Sequence, residues 1–304
     1  MAFHYSSRCL SLVVAVLIFA GSPFTAQAEE IRIEHKGLTL NAELSVGDGA
    51  TLSDGVVLMV HGTLAHNAME TIVGLGAILN ERGLTTLAIN LSLGVDDRHG
   101  MYDCATPHRH GHMDALGEIN AWMAWLQSRK AGPVTLFGHS RGGNQAARYA
   151  AEQGHSLLRN VALLAPATWD ADSASRSYEN SHGTPLSEML EKAEAQIAAG
   201  KGADFLAGAG LLYCPGSDVT ADSFVSYYRP DPRFDTPGIL KEISVPVLVI
   251  AGSEDTVVKN LGDRVAPMAD GTDLKFAMAD GADHFFLDLF ADDVADFMEQ
   301  FIIQ

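Results

Sequence analysis

The stretch of this chain best suited to chemistry is Gly138-His139-Ser140-Arg141-Gly142. Val134-Thr135-Leu136-Phe137 before it reads as a short buried strand, and Gly143 to Tyr149 after it reads as the first turns of a helix. A serine at a strand-to-helix bend, with a glycine two residues away on either side, has the form of a nucleophile elbow. The bend strains the serine backbone, and the glycines remove side chains that would collide within the turn. The Ser140 hydroxyl is thereby lifted clear of the sheet.

A serine hydroxyl is a weak nucleophile and needs a base to take its proton. The chain holds 12 histidines, so composition selects none of them. Position selects His284, in Gly281-Ala282-Asp283-His284-Phe285-Phe286, after the last predicted strand and before the last predicted helix. A neutral imidazole can accept the serine proton and return it to a leaving group. The imidazole in turn needs a carboxylate to fix its tautomer. Asp255 stands in Gly252-Ser253-Glu254-Asp255-Thr256, directly after an apolar strand pattern. Glu254 and Asp170 remain rivals for that role, whereas Asp283 is expected to point elsewhere.

The elements that must position these residues alternate along the chain. Ile31 to Val46 alternates as two edge strands with a turn near Lys36-Gly37. Gly55 to Val60, Thr85 to Leu91, Val134 to Phe137, Val161 to Leu164, Val245 to Ile250 and Leu274 to Met278 read as further strands. Helical patterns run over Asn67 to Arg82, stopped by Gly83, over Met113 to Lys130, and over Asp288 to Ile303. Such alternation predicts an α/β fold with a mostly parallel sheet and helices on both faces. Residues 167–240 are too long for a plain connection. They contain a helical stretch, Leu186 to Ala199, and an aromatic segment, Phe224 to Phe234, and are expected to form a cap over the carboxyl edge of the sheet.

On these residues, over roughly 31–304, the chain resembles the α/β-hydrolase superfamily. The matching positions are the His61-Gly62-Thr63 turn, the elbow, the acid after Val245 to Ile250 and the late histidine. The order Ser140, Asp255, His284 is the order of that fold. The resemblance implies an oxyanion hole from two backbone amides, that of Arg141 and that of Thr63, with Leu64 as the substitute for Thr63. His61 is then structural, bonded within its turn, and His139 packs near the sheet end without a chemical role. The implied activity is hydrolysis of carboxylic esters through an acyl-enzyme, with a small-molecule ester as substrate and no bound cofactor. The same triad also serves thioesters, lactones and amides, and a non-catalytic binding protein can be built on the same fold. Dehalogenases and epoxide hydrolases of this fold carry an aspartate at the elbow, so Ser140 argues against both. A lipase lid would be more apolar than Leu186 to Ala199, which carries Glu188, Glu191, Lys192 and Glu194.

Residues 1–28 look like a secretory signal: Arg8, an apolar run from Leu10 to Ala20, and the small-residue site Ala26-Gln27-Ala28. Cleavage after Ala28 would leave a single domain, 29–304, in the periplasm or outside the cell, without stable membrane insertion. The formal charge of −18 argues against nucleic acid as a partner. Cys104 and Cys214 would remain, and in an oxidising compartment a disulfide between them is expected. The loop from Asp96 to Asp114 holds Asp96, Asp97, His99, Asp103, His108, His110 and His112. Polar contacts around the mouth of the site are one reading of it, and a metal site in an extended segment is the other.

Overall fold

The computed structural model describes Met1 and residues 28–303. The signal expected over 1–28 lies, apart from its two end residues, outside them. In chain order the strands are β1 (Glu29–His35), β2 (Leu38–Ser45), β3 (Val56–Val60), β4 (Thr85–Asn90), β5 (Val134–His139), β6 (Leu158–Leu164), β7 (Phe205–Leu206), β8 (Val219–Thr220), β9 (Val247–Gly252) and β10 (Leu274–Ala279). The α-helices are α1 (Glu70–Glu81), α2 (Asp114–Ser128), α3 (Arg141–Glu152), α4 (Ala171–His182), α5 (Leu186–Ala198), α6 (Ala221–Tyr228), α7 (Thr236–Ile239), α8 (Leu261–Val265) and α9 (Leu289–Ile302).

Eight strands form one sheet in the order β1-β2-β4-β3-β5-β6-β9-β10. From β4 to β10 every neighbouring pair is parallel, while β2 runs antiparallel to both β1 and β4. The parallel strands are apolar on both faces because helices cover both. In β3, Leu58 and Val60 join one core with Trp122 and Leu126 of α2 and Tyr149 of α3. Val57 and Met59 join the other, with Leu75 and Leu79 of α1 and Val294 and Met298 of α9. One expectation needs correction. Of the two strands expected at the edge only β1 lies there, for β4 flanks β2 on its other side and buries Leu40, Ala42 and Leu44.

The segment between β6 and β9 is a small subdomain with its own apolar cluster, which includes Tyr178, Leu186, Met189, Leu206 and Phe224. Helix α4 in this segment has no apolar stripe: of its 12 residues only Tyr178 is buried. It is held instead by its ends, with Asp170 Oδ1 accepting from the Ser173 amide at 2.8 Å and Gly183 in the left-handed region. The subdomain is tied to the sheet in three ways. Cys104 and Cys214 form a disulfide. His108 exchanges backbone hydrogen bonds with Asp218 and Thr220. The Asn144 amide of α3 donates to the Arg233 and Phe234 carbonyls and to Thr236 Oγ1. Among the described residues no helix is long and apolar enough to cross a membrane.

Candidate active site

Strand β5 ends at His139 and α3 begins at Arg141, so Ser140 alone makes the turn. Its backbone stands at φ 55°, ψ −121°, a region that L side chains rarely adopt. Strain of this kind costs of order 1–3 kcal/mol and must be held by the surroundings. Backbone bonds at both of its ends hold it here: the Ser140 amide donates to the Leu164 carbonyl at 2.9 Å, and the Ser140 carbonyl accepts the amides of Ala167 at 2.9 Å, Gly143 at 3.0 Å and Asn144 at 3.3 Å. The flanking glycines are there for space. A Cβ on Gly138 would strike the Gly142 carbonyl, and one on Gly142 would strike the carbonyls of Val60 and His61.

The serine Oγ lies 2.9 Å from His284 Nε2, and His284 Nδ1 lies 2.8 Å from Asp255 Oδ2. The imidazole and carboxylate side chains are only 7% and 3% exposed, so water competes little for these bonds. A carboxylate can only accept, which puts the imidazole proton on Nδ1 and leaves Nε2 bare toward the serine hydroxyl. Asp255 Oδ1 accepts the amides of Val257 at 2.7 Å and Val258 at 2.9 Å. Burial alone would raise the Asp255 pKa, but the His284 bond and these two amides hold it below the usual carboxylate value. The rival acids sit elsewhere: Asp170 caps α4, Glu254 is exposed, and Asp283 Oδ1 accepts the Phe285 amide.

His139, given no role from the sequence, braces this arrangement. Its Nε2 donates to the His284 carbonyl at 2.9 Å, and its ring lies 4.9 Å from the His284 ring. Burial, then the neighbouring His284, pushes its pKa down to about 4, so it stays a neutral donor.

The turn after β3 lies against the elbow, since a Cβ on Gly62 would sit 3.4 Å from Ser140 Cβ. Among the described residues the amides of Thr63, Leu64 and Arg141 donate no hydrogen bond. Leu64 reaches φ 53° there. His61 fixes the turn: Nδ1 donates to the Gly62 carbonyl at 2.9 Å, and Nε2 accepts the Leu91 amide at 3.1 Å. Burial, then the Arg98 charge, pushes its pKa down to about 3. Arg98 is the larger clamp and was not foreseen. Its guanidinium is buried and donates to the carbonyls of Leu91, Ala65 and Gly100 and to Asn90 Oδ1. It thereby joins the β3 turn, the end of β4 and the loop from 92 to 112.

The histidines of that loop bond to protein groups. His108 Nδ1 and His110 Nε2 are 3.1 Å apart, His110 Nδ1 is 2.8 Å from Tyr227 Oη, and His112 Nε2 is 3.2 Å from Asn144 Oδ1. All three are buried. Among the described residues the one cluster with metal-ligand spacing is Glu30, Asp97 and His99 on the surface, where Arg32 and His99 already pair with the carboxylates.

Between the elbow and the subdomain lies a cleft of about 770 Å³. It is lined by Arg141, His112, Trp169, Tyr178, Tyr227 and Phe234, among others; Ser140, His284 and Asp255 are not on its lining, which meets them through Arg141, the residue after Ser140, and Val257, whose amide Asp255 accepts. A sheet that carries a nucleophile-like serine at a strained bend, with a histidine and an acid beside it and a cleft above, belongs to the hydrolase-like class of α/β folds. The model of the alpha/beta hydrolase family matches residues 57–297, and the chain belongs to that family.

Solved structures give the same fold. Est1E from Butyrivibrio proteoclasticus is 18% identical, with 90% of this chain and 99% of that one covered and a TM-score of 0.61. The Pyrococcus furiosus esterase PF2001 is 16% identical, with 91% of each chain covered and a TM-score of 0.60. The Paleococcus ferrophilus monoacylglycerol lipase is 19% identical, with 85% and 98% covered and a TM-score of 0.56. No curated protein matches the sequence.

Proposed function

We propose that this protein is a serine hydrolase that cleaves carboxylic esters. Ser140 Oγ attacks the acyl carbon while His284 Nε2 takes its proton, and Asp255 stabilises the imidazolium that results. The amides of Arg141 and Thr63, with Leu64 as the substitute for Thr63, receive the oxyanion. His284 then protonates the leaving alcohol, and water attacks the acyl-enzyme by the reverse path.

The observation that carries this reading is the continuous Oγ–Nε2 and Nδ1–Oδ2 pairing of Ser140, His284 and Asp255 at 2.9 and 2.8 Å, on a serine held at positive φ. The unused amides beside it fit the same role. We also propose that residues 1–28 are removed on export, a reading supported by the Cys104–Cys214 bond, since such bonds persist in oxidising compartments.

The test is hydrolysis of a p-nitrophenyl ester series by the protein beginning at Glu29, with Ser140→Ala alongside and a fluorophosphonate probe on both. Turnover and labelling that both vanish in Ser140→Ala are expected. A folded protein that neither turns over any ester nor labels would refute the serine mechanism.

A further inference from the structure

Arg141, the residue after Ser140, lines the cleft and has no counter-charge. Arg141 Nε donates to Thr63 Oγ1 at 3.1 Å, Nη1 lies 3.4 Å from His112 Nδ1, and the guanidinium carbon stands 5.5 Å from the centre of the Tyr227 ring. No carboxylate lies within ion-pair distance among the described residues.

The neutrality of His112 follows from its neighbours. The Asn144 amide nitrogen already faces three acceptors, so Asn144 Oδ1 must accept from His112 Nε2–H. That leaves His112 Nδ1 as a bare lone pair aimed at Arg141. Burial, then the Arg141 charge itself, holds the His112 pKa well below its ordinary range, so this neighbour adds no charge of either sign. Three neutral groups thus orient the guanidinium and occupy two of its five N–H bonds, leaving three for a ligand.

The chain carries 38 acidic residues, and Arg32, Arg82, Arg148, Arg229, Arg233 and Arg264 each pair with at least one. Of the described arginines without such a pair, Arg141 is the one that lines the cleft. The cleft is cationic within an acidic protein. Its lining includes Arg141, Lys259, Arg264 and a single carboxylate, Asp170. Asp235 neutralises Arg264. Lys259 makes no hydrogen bond or ion pair among the described residues. A guanidinium fork matches a carboxylate through two parallel N–H bonds, and its single charge matches a monoanion.

We propose that the cleft holds a carboxylate subsite, in which Arg141, assisted by Lys259, grips an anionic end of the substrate, so that the ester cleaved at Ser140 carries a free carboxylate. This rests on the ester-hydrolase reading above. It makes Arg141 serve twice: its amide faces the oxyanion, and its side chain selects the substrate.

The test uses a matched pair, mono-p-nitrophenyl glutarate and p-nitrophenyl pentanoate, which differ only in a terminal carboxylate against a methyl group. In the unmodified protein kcat/KM for the glutarate ester is expected to exceed that for the pentanoate by at least about 10-fold, as a charge-assisted hydrogen-bonded pair provides. The ratio should shrink as salt is raised. Arg141→Gln should collapse it toward unity mainly through KM, Arg141→Lys should retain part of it, and Lys259→Gln should lower it by a smaller factor. A ratio at or below unity in the unmodified protein, or one unchanged in Arg141→Gln, overturns the subsite while leaving the ester reading intact.

A second measurement needs no turnover. Glutarate should bind the Ser140→Ala protein in calorimetry, glutaramide should not, and adding Arg141→Gln should weaken glutarate binding at least about 10-fold. Absent binding, or binding indifferent to Arg141, overturns the subsite. If neither ester turns over and no probe labels, the catalytic reading has failed, and calorimetry alone decides the subsite.

Discussion

Replacing Asp255 by asparagine tests the proposed division of labour most sharply, because the structure dictates how the new amide would sit. Oδ1 of Asp255 is fixed by two donors, the amides of Val257 and Val258. An asparagine must therefore keep its carbonyl oxygen on that side and turn its NH2 toward His284 Nδ1. The NH2 donates, so Nδ1 must become the acceptor and the imidazole proton moves to Nε2. Nε2 then faces Ser140 Oγ as a donor and cannot take its proton. The geometry survives but the tautomer is wrong, and the expected loss in kcat is about 10⁴-fold, or about 5 kcal/mol of barrier. Every hydrogen bond has a counterpart in the variant, so the melting temperature should move little. The assay is steady-state hydrolysis of the best p-nitrophenyl ester beside thermal unfolding of both proteins. A folded Asp255→Asn enzyme within tenfold of the parent would refute the reasoning, and the positions of Asp170 and Glu254 offer no substitute acid.

Other expectations follow from packing, topology and burial. Gly142→Ala places a methyl against the Val60 and His61 carbonyls and should cost about 3 kcal/mol in denaturant unfolding, with activity falling as the elbow shifts; a loss below about 1 kcal/mol would mean that the turn relaxes freely. Cys104→Ser removes a bond spanning 110 residues, for which loop-closure entropy sets a loss near 4.7 kcal/mol, measured as the difference between oxidised parent and variant in urea. Acid should unfold the protein early. Burial holds His61 at about 3, His108 at about 4, His110 at about 3 and His139 at about 4, against about 6.5 when unfolded. Between those values the unfolded chain binds more protons, so stability is complete above about pH 6.5 and lost as pH falls toward the folded values. Glu118, raised to about 7 by burial despite its bonds to Ser92, has the opposite sign and gains stability as pH falls from 7. Glu118→Gln should therefore steepen the fall in melting temperature between pH 7 and 5; an unchanged slope would contradict the assignment.

Local rules carried much of the reading. The elbow was legible because its constraint spans five residues: a strand, a strained serine and two glycines whose missing side chains the fold needs. The strands of the parallel sheet were legible as short apolar runs for the reason that helices bury both faces. Helix α4 was not, because a helix held by caps and solvated on most sides leaves no apolar period to see. Arg98 was hidden for a different reason. Between Asp97 and His99 it reads as one more surface charge, and only the closing of three separate segments around it supplies the carbonyls that make it a buried clamp. His139 joins a carbonyl 145 positions away, and no local pattern encodes that bond. The loop histidines were visible as a group, yet their partners, Tyr227 and Asn144, lie in elements that the fold alone brings to them.

The Cys104–Cys214 bond also divides the chain in a way that fold diagrams conceal. It closes a covalent ring that contains Ser140, β5, α3, β6 and the first two helices of the subdomain, and leaves Asp255 and His284 on the tail outside. A single peptide-bond cut anywhere in that ring, such as in the exposed polar surface of α4 or α5, yields one molecule of unchanged mass apart from a water, and falls into two only on reduction. Ser140 is thus kept on the same covalent body as His284 and Asp255 after a nick that would separate them in an open chain.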